Sequence, residues 1–281
     1  MFDKIKNSWN LMKASAAVLQ ADKELMVFPM LSAVGVLIVT ATFAFPMIAA
    51  GVFENMAAGD SQLVTYIVLF LFYIVQYTVI IFANCALIGA AMIRLEGGDP
   101  TVGDGFRIAF QHIGSILGYA LLSATIGLIL RMIAERSGSL GRIVTSLVGL
   151  AWNLATFLVV PVLVMEGVGP VEGIKRSAGL LKKTWGEQIA GNISIGLIFG
   201  LATILVILLG IPFFLLAISL ESLVLMFAFG LIFVLVLVFL GLINATLTGI
   251  YVAAVYRYAA DGQASGFFSE EMIQGAFRLK A

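Results

Sequence analysis

Six neutral polar side chains, Gln76, Asn84, Asn153, Asn244, Thr246 and Thr248, fall inside runs that are otherwise apolar. In hydrocarbon such groups have two uses. They join helices through hydrogen bonds worth about 0.6 to 2 kcal/mol each, or they line a polar conduit across the bilayer. A second set is basic and aromatic: Lys6, Trp9 and Lys13 near the start, then Lys175, Arg176, Lys182, Lys183 and Trp185. Cations opposite a tryptophan-bearing apolar stripe describe a helix lying in the membrane interface. Each such charge gains about 1 kcal/mol beside anionic headgroups.

Other chemistries lack their residues. The chain has no GxSxG, HExxH, CxxC or GxxxxGK[ST], the signatures of nucleophilic, zinc, redox and phosphate-loop sites. The carboxylates Glu135 and Glu270-Glu271 fall outside the apolar runs, where water solvates them. Arg131, Glu135 and Glu221 mark span ends, so no ionisable group is expected at mid-membrane and no proton relay follows. One cysteine, Cys85, and one histidine, His112, cannot build a disulfide or a cysteine–histidine metal cluster. No enzyme, cofactor or metal is expected. Sixteen basic and sixteen acidic residues cancel, which leaves no bulk field for nucleic acid.

The elements that must carry these residues are membrane spans. Of 281 residues, 61% are hydrophobic and 11% charged, and the mean hydropathy is +1.09. A soluble domain is about one quarter charged, so most of this surface is expected to avoid water. Six apolar runs predict an all-α polytopic bundle with spans at about 26–50, 63–93, 113–133, 143–165, 192–217 and 223–260. Residues 1–262 then form one transmembrane domain, and 263–281 a short cytoplasmic tail. The sixth run, about 55 Å as a helix, exceeds a hydrocarbon core of about 30 Å and must tilt or protrude. No cleavable signal peptide is expected, because the first 25 residues carry four lysines and no short apolar core.

Charge orients the bundle. With the N-terminus inside, thirteen lysines and arginines fall on inner segments and three (Arg131, Arg136 and Arg142) on outer ones. That bias puts both termini in the cytoplasm. Residues 5–13, "IKNSWNLMK", and 174–182, "IKRSAGLLK", agree at five of nine positions. Phe2, Ile5, Trp9, Met12, Ala16 and Leu19 form one helical stripe with Lys6 and Lys13 away from it. Ile174, Ala178, Leu181, Trp185 and Ile189 form another, and Val102, Phe106, Phe110 and Ile113 a shorter third. Three interfacial helices, each before a pair of spans, predict a threefold repeat of interfacial helix plus hairpin.

The run "WNLMKASAAVLQADKELMVFPMLS", with Trp9, Lys13, Asp22, Lys23, Glu24, Leu25, Phe28 and Pro29, resembles an uncharacterised family of prokaryotic integral membrane proteins of unknown function. So does "VVPVLVMEGVGPVEGIKRSAGLLKKTWGEQIAGNISIG", with Pro161, Glu166, Lys175, Ser177, Trp185 and Gly186. A more distant similarity is to the membrane domain attached to some glycerophosphodiester phosphodiesterases. The resemblance implies a six-span fold in the cytoplasmic (inner) membrane and assigns no activity to it. Two functions are therefore expected in competition. The first is a passive, permease-like conduit for a small solute, ion or lipid along the polar set. The second is a non-conducting scaffold or accessory subunit that binds anionic lipid or another membrane protein. Membrane lipids are the expected partners in both, with a homo-oligomer or a second membrane protein as a further one.

Overall fold

The computed structural model describes residues 2–49, 62–136, 139–185 and 195–274. Among them every regular element is helical, with no strand. Six segments are long and apolar enough to cross a membrane: Lys23–Ile48, Ile67–Leu95, Ile113–Ala134, Gly141–Glu166, Ile198–Ser219 and Leu223–Asp261.

Local chemistry sets the boundaries. Helix α1 (Phe2–Ala21) stops at Asp22, whose Oδ1 accepts the Glu24 N–H at 3.2 Å and starts a single 3₁₀ turn, Lys23–Met26. That turn leads into α2 (Val27–Ala49). Helix α3 (Gln62–Leu95) is 34 residues long and gives way to Gly97, whose φ of +90° suits glycine. Thr101 and Asp104 form a capping box that starts α4 (Val102–Gln111). A break at His112 separates it from α5 (Ile113–Arg136).

The fourth span is not one helix. It consists of α6 (Ser139–Ala155) and α7 (Val159–Glu166), separated by a turn at 156–158. The span expected over 143–165 is present as Gly141–Glu166, built from these two helices. Pro161 has no N–H to offer the Phe157 carbonyl, and its ring crowds that oxygen, which disfavours a helical turn across 157–161. The Leu158 N–H instead donates to the buried Ser177 Oγ at 3.0 Å. Helix α8 (Pro170–Trp185) opens on a proline, where no intrahelical N–H bond is lost.

Helix α9 (Ile195–Ser219) turns back into α10 (Leu223–Asp261), 39 residues ending at Gly262 with φ +71°. The expected tail folds back in part. Its residues Glu270–Gln274 form α11, and Asn7 Nδ2 on α1 donates to the Met272 carbonyl at 3.4 Å. Residues 275–281 lie outside the described residues.

Burial is concentrated at one end. Helix α3 packs on α2, α4, α5, α7 and α10. Around its C-terminal half and that of α10 cluster Val18, Leu25, Leu163, Leu181, Ile250 and Val255, all nearly inaccessible. At the far end the helices expose Leu37, Phe45, Leu208 and Phe227. So much exposed apolar surface suits hydrocarbon and not water. The protein is a multi-pass membrane protein.

The helices read as interfacial differ from one another: α1 has 20 residues, α4 has 10 and α8 has 16. They share their order in the chain and not their length. The predicted stripe of α1 lies beside the face that packs on the protein. Its buried face is Ser8, Leu11, Ala14, Ser15 and Val18, whereas Trp9 is 44% exposed. Packing on α10 and α9 selects that face.

Candidate functional site

The polar set does not converge. Gln76 Nε2 donates to Thr40 Oγ1 at 3.1 Å and so joins α3 to α2. Thr248 Oγ1 meets Asn244 Oδ1 at 3.5 Å within α10, and the buried Thr246 returns its hydroxyl to the Leu242 carbonyl at 2.8 Å. Asn84 is half-buried and Asn153 is exposed on α6. Among the described residues, no hydrogen bond links any two of the six except Asn244 and Thr248.

The basic set divides. Lys13, Lys175, Arg176, Lys182 and Lys183 are exposed, and the Lys6 side chain lies outside the described residues. Lys13 was expected on the face opposite Trp9; instead its Nζ sits 5.7 Å from the indole centroid. Four residues make one helical turn, which brings the two side chains together. Trp185 was expected at the lipid interface. It is 5% exposed and packs 6.3 Å from the Tyr258 ring. The C-terminal half of α10 offers α8 an apolar partner, so the indole turns inward.

Two charged junctions hold the packed end, and sequence reasoning had named only some of their members. Arg94, at the foot of α3, donates to the Ala21 carbonyl at 2.9 Å, to the Gly98 carbonyl at 3.1 Å and to Asp99 at 3.1 Å. Beside it, Glu24 Oε2 accepts the Val102 N–H at 2.9 Å, placing a carboxylate on the N-terminus of α4. In the second junction Arg176 Nε contacts both oxygens of Glu166, at 2.9 and 3.0 Å. Tyr256 OH donates to the same carboxylate at 3.2 Å. The two partners of Glu166 lie ten and ninety residues from it, and no local pattern announces them. Among the described residues, no group of three His, Cys, Asp or Glu side chains could hold a metal.

Asp22 is the strained member of the first junction. It is 6% exposed, and its Oδ2 has no hydrogen-bond partner. Burial pushes its carboxyl above the usual range, opposed by the Glu24 N–H and by Arg94. A folded-state value above the unfolded one means that the protonated form folds better. The cost of ionisation is absent below the ordinary value near 3.8 and grows as pH rises through the raised one. Asp22→Asn keeps an acceptor for the Glu24 N–H and carries no charge. It should unfold at higher temperature than the parent at pH 7, and the advantage should shrink toward pH 4. Thermal unfolding in detergent at the two pH values measures this.

The described cavity is apolar. A groove of about 290 Å³ runs between α2, α3 and α4, lined by Leu31, Val79, Phe82, Phe106, Phe110 and Ile113 with the hydroxyls of Ser32 and Thr78 at its wall. The Thr78 hydroxyl is spent on the Ile74 carbonyl at 2.8 Å. Rings shape the groove: Phe82 stacks on Phe106 at 5.9 Å and meets Phe110 edge-on at 4.8 Å. Phe28 braces Phe106 edge-on at 5.6 Å. A slot of this size lies near the lower bound for small-ligand sites. Its lining is hydrocarbon apart from those two hydroxyls. The shorter predicted stripe, with Phe106, Phe110 and Ile113, pointed at one wall of it; the α2 and α3 walls came from tertiary packing.

Residues 63–267 match a family of unknown function, DUF6159. No curated protein and no solved structure matches the chain.

Proposed function

Because the chain belongs to DUF6159, a family of unknown function whose match covers residues 63–267, we propose its role from its surfaces: a non-conducting membrane scaffold that binds lipid. The observation that supports this reading is the phenylalanine-walled groove between α2, α3 and α4. It opens on the membrane-spanning surface, where the surrounding solvent is acyl chain. One lipid tail fills it, and burial of each methylene contributes about 0.8 kcal/mol. The exposed Lys13, Lys175, Lys182 and Lys183 favour anionic headgroups at the same end of the bundle. Thirteen basic residues against three support a cytoplasmic position for that end and for both termini, in the inner membrane.

A conduit would need the neutral polar side chains to share a path. Their hydrogen bonds run instead to neighbouring helices or back along their own. No catalytic step belongs to this reading.

Leu31→Trp tests it. Leu31 is 46% exposed at the groove's edge, so the indole can occupy the slot without disturbing the core. Native mass spectrometry of the full chain in phosphatidylglycerol should show one fewer retained lipid for the variant than for the parent. Proteoliposomes should pass ions no faster than empty vesicles. Equal lipid retention would remove the groove from the proposal, and ion flux above the empty-vesicle rate would replace the scaffold with a conduit.

A further inference from the structure

Asn153 is out of place. It stands at the middle of the span Gly141–Glu166, 12 residues from its start and 13 from its end. Its side chain is exposed on α6. Among the described residues it makes no hydrogen bond, unlike Gln76 and Asn244. Acyl chains offer it no partner either. A primary amide left unpaired in hydrocarbon is costly, which favours a partner supplied by another molecule.

The helix around it shows which side is open. Thr145 is buried and Trp152 half-buried, which marks the face that α6 turns toward α5 and α8. Ser146 and Gly149 lie seven and four residues before Asn153, on its own flank. The Ser146 hydroxyl is satisfied by the Arg142 carbonyl at 2.8 Å. A Cβ placed on Gly149 would meet nothing within 4 Å. That flank is therefore notched at Gly149 and largely exposed, and among the described residues its Asn153 amide makes no hydrogen bond. Ile143, Leu147 and Leu150 beside it are all more than half exposed.

An amide carries both a donor and an acceptor, so it complements itself. In a twofold interface each residue near the axis meets its own copy. We propose that two copies of this chain pair through this flank of α6, with Asn153 bonded to Asn153 of the second copy at mid-membrane. Gly149 lets the two backbones approach, as small residues do in membrane helix pairs. Arg142, at the edge of the span, can extend its guanidinium into the headgroups.

The test uses the full chain in liposomes across a range of protein-to-lipid ratios, read by single-molecule photobleaching. The parent should move from monomer to dimer as the ratio rises. Asn153→Leu should weaken the dimer by about tenfold, the loss of two interhelical hydrogen bonds, while Asn153→Gln keeps most of the affinity. Leu205→Ala, on the exposed surface of α9, should change nothing. In a Cys85→Ala background, oxidation should crosslink Asn153→Cys to its copy and leave Leu205→Cys uncrosslinked. A parent that stays monomeric, an Asn153→Leu dimer as tight as the parent's, or crosslinking at 205 in place of 153 would each overturn the proposal.

Discussion

Gly105→Val should cost the fold about 3 kcal/mol, the upper range for forcing volume into a packed site. A Cβ at this position in α4 would stand 2.4 Å from the Phe28 ring and 2.7 Å from the Ala86 carbonyl oxygen. The ring can swing aside. The carbonyl belongs to the backbone of α3 and cannot, so α4 must lift from the bundle. Removing a glycine from a helix interior ordinarily gains about 0.5 to 1 kcal/mol, and here packing reverses the sign. Gly103→Ala on the same helix is the control, because its nearest neighbour would be Thr101 Oγ1 at an ordinary 3.6 Å. Thermal unfolding in detergent should show a clear drop for Gly105→Val and none for Gly103→Ala.

Tyr251→Ala should cost about 3 to 5 kcal/mol, as truncation of a buried aromatic ring does. Tyr251 is 2% exposed in α10 and meets the Phe157 ring edge-on at 6.2 Å. Phe227 belongs to the same helix, yet it is 78% exposed. Phe227→Ala should stay within about 0.5 kcal/mol. Tyr251→Phe keeps the ring and should cost less than about 1.5 kcal/mol. The pair of alanine variants, unfolded side by side, measures how unevenly protein packing is spread along one continuous helix.

The spans were legible because hydrocarbon imposes one rule on every residue that meets it. Long apolar runs sufficed for α2, α3, α5, α9 and α10 to within a few residues. The break in the fourth span was not legible, although Pro161 was in plain view. A proline late in a long apolar run can kink a helix or begin a new one, and the Ser177 hydroxyl that stabilises the turn lies nineteen residues away. Helical stripes gave the helices but not the partner that each stripe meets. Trp9 and Trp185 look equivalent in sequence, but α1 turns its indole outward and α8 turns its own into the core. Which face a short helix buries depends on the neighbour that arrives, and periodicity alone does not name that neighbour. The groove was half legible for the same reason, its α4 wall being a local pattern and its other walls a matter of assembly.

The partners of α1 also impose an order in time. Its main helical contacts are with α9, α10 and α11, all from the last third of the chain. A ribosome adding 5 to 20 residues per second needs roughly 10 to 50 s to travel from the end of α1 to the end of α10. Until α9 and α10 are made, Leu11, Ala14 and Val18 lack the helices they bury against, and the membrane interface is the nearest apolar shelter. The first helix to be made is among the last to dock, so closure of the bundle waits for the sixth span.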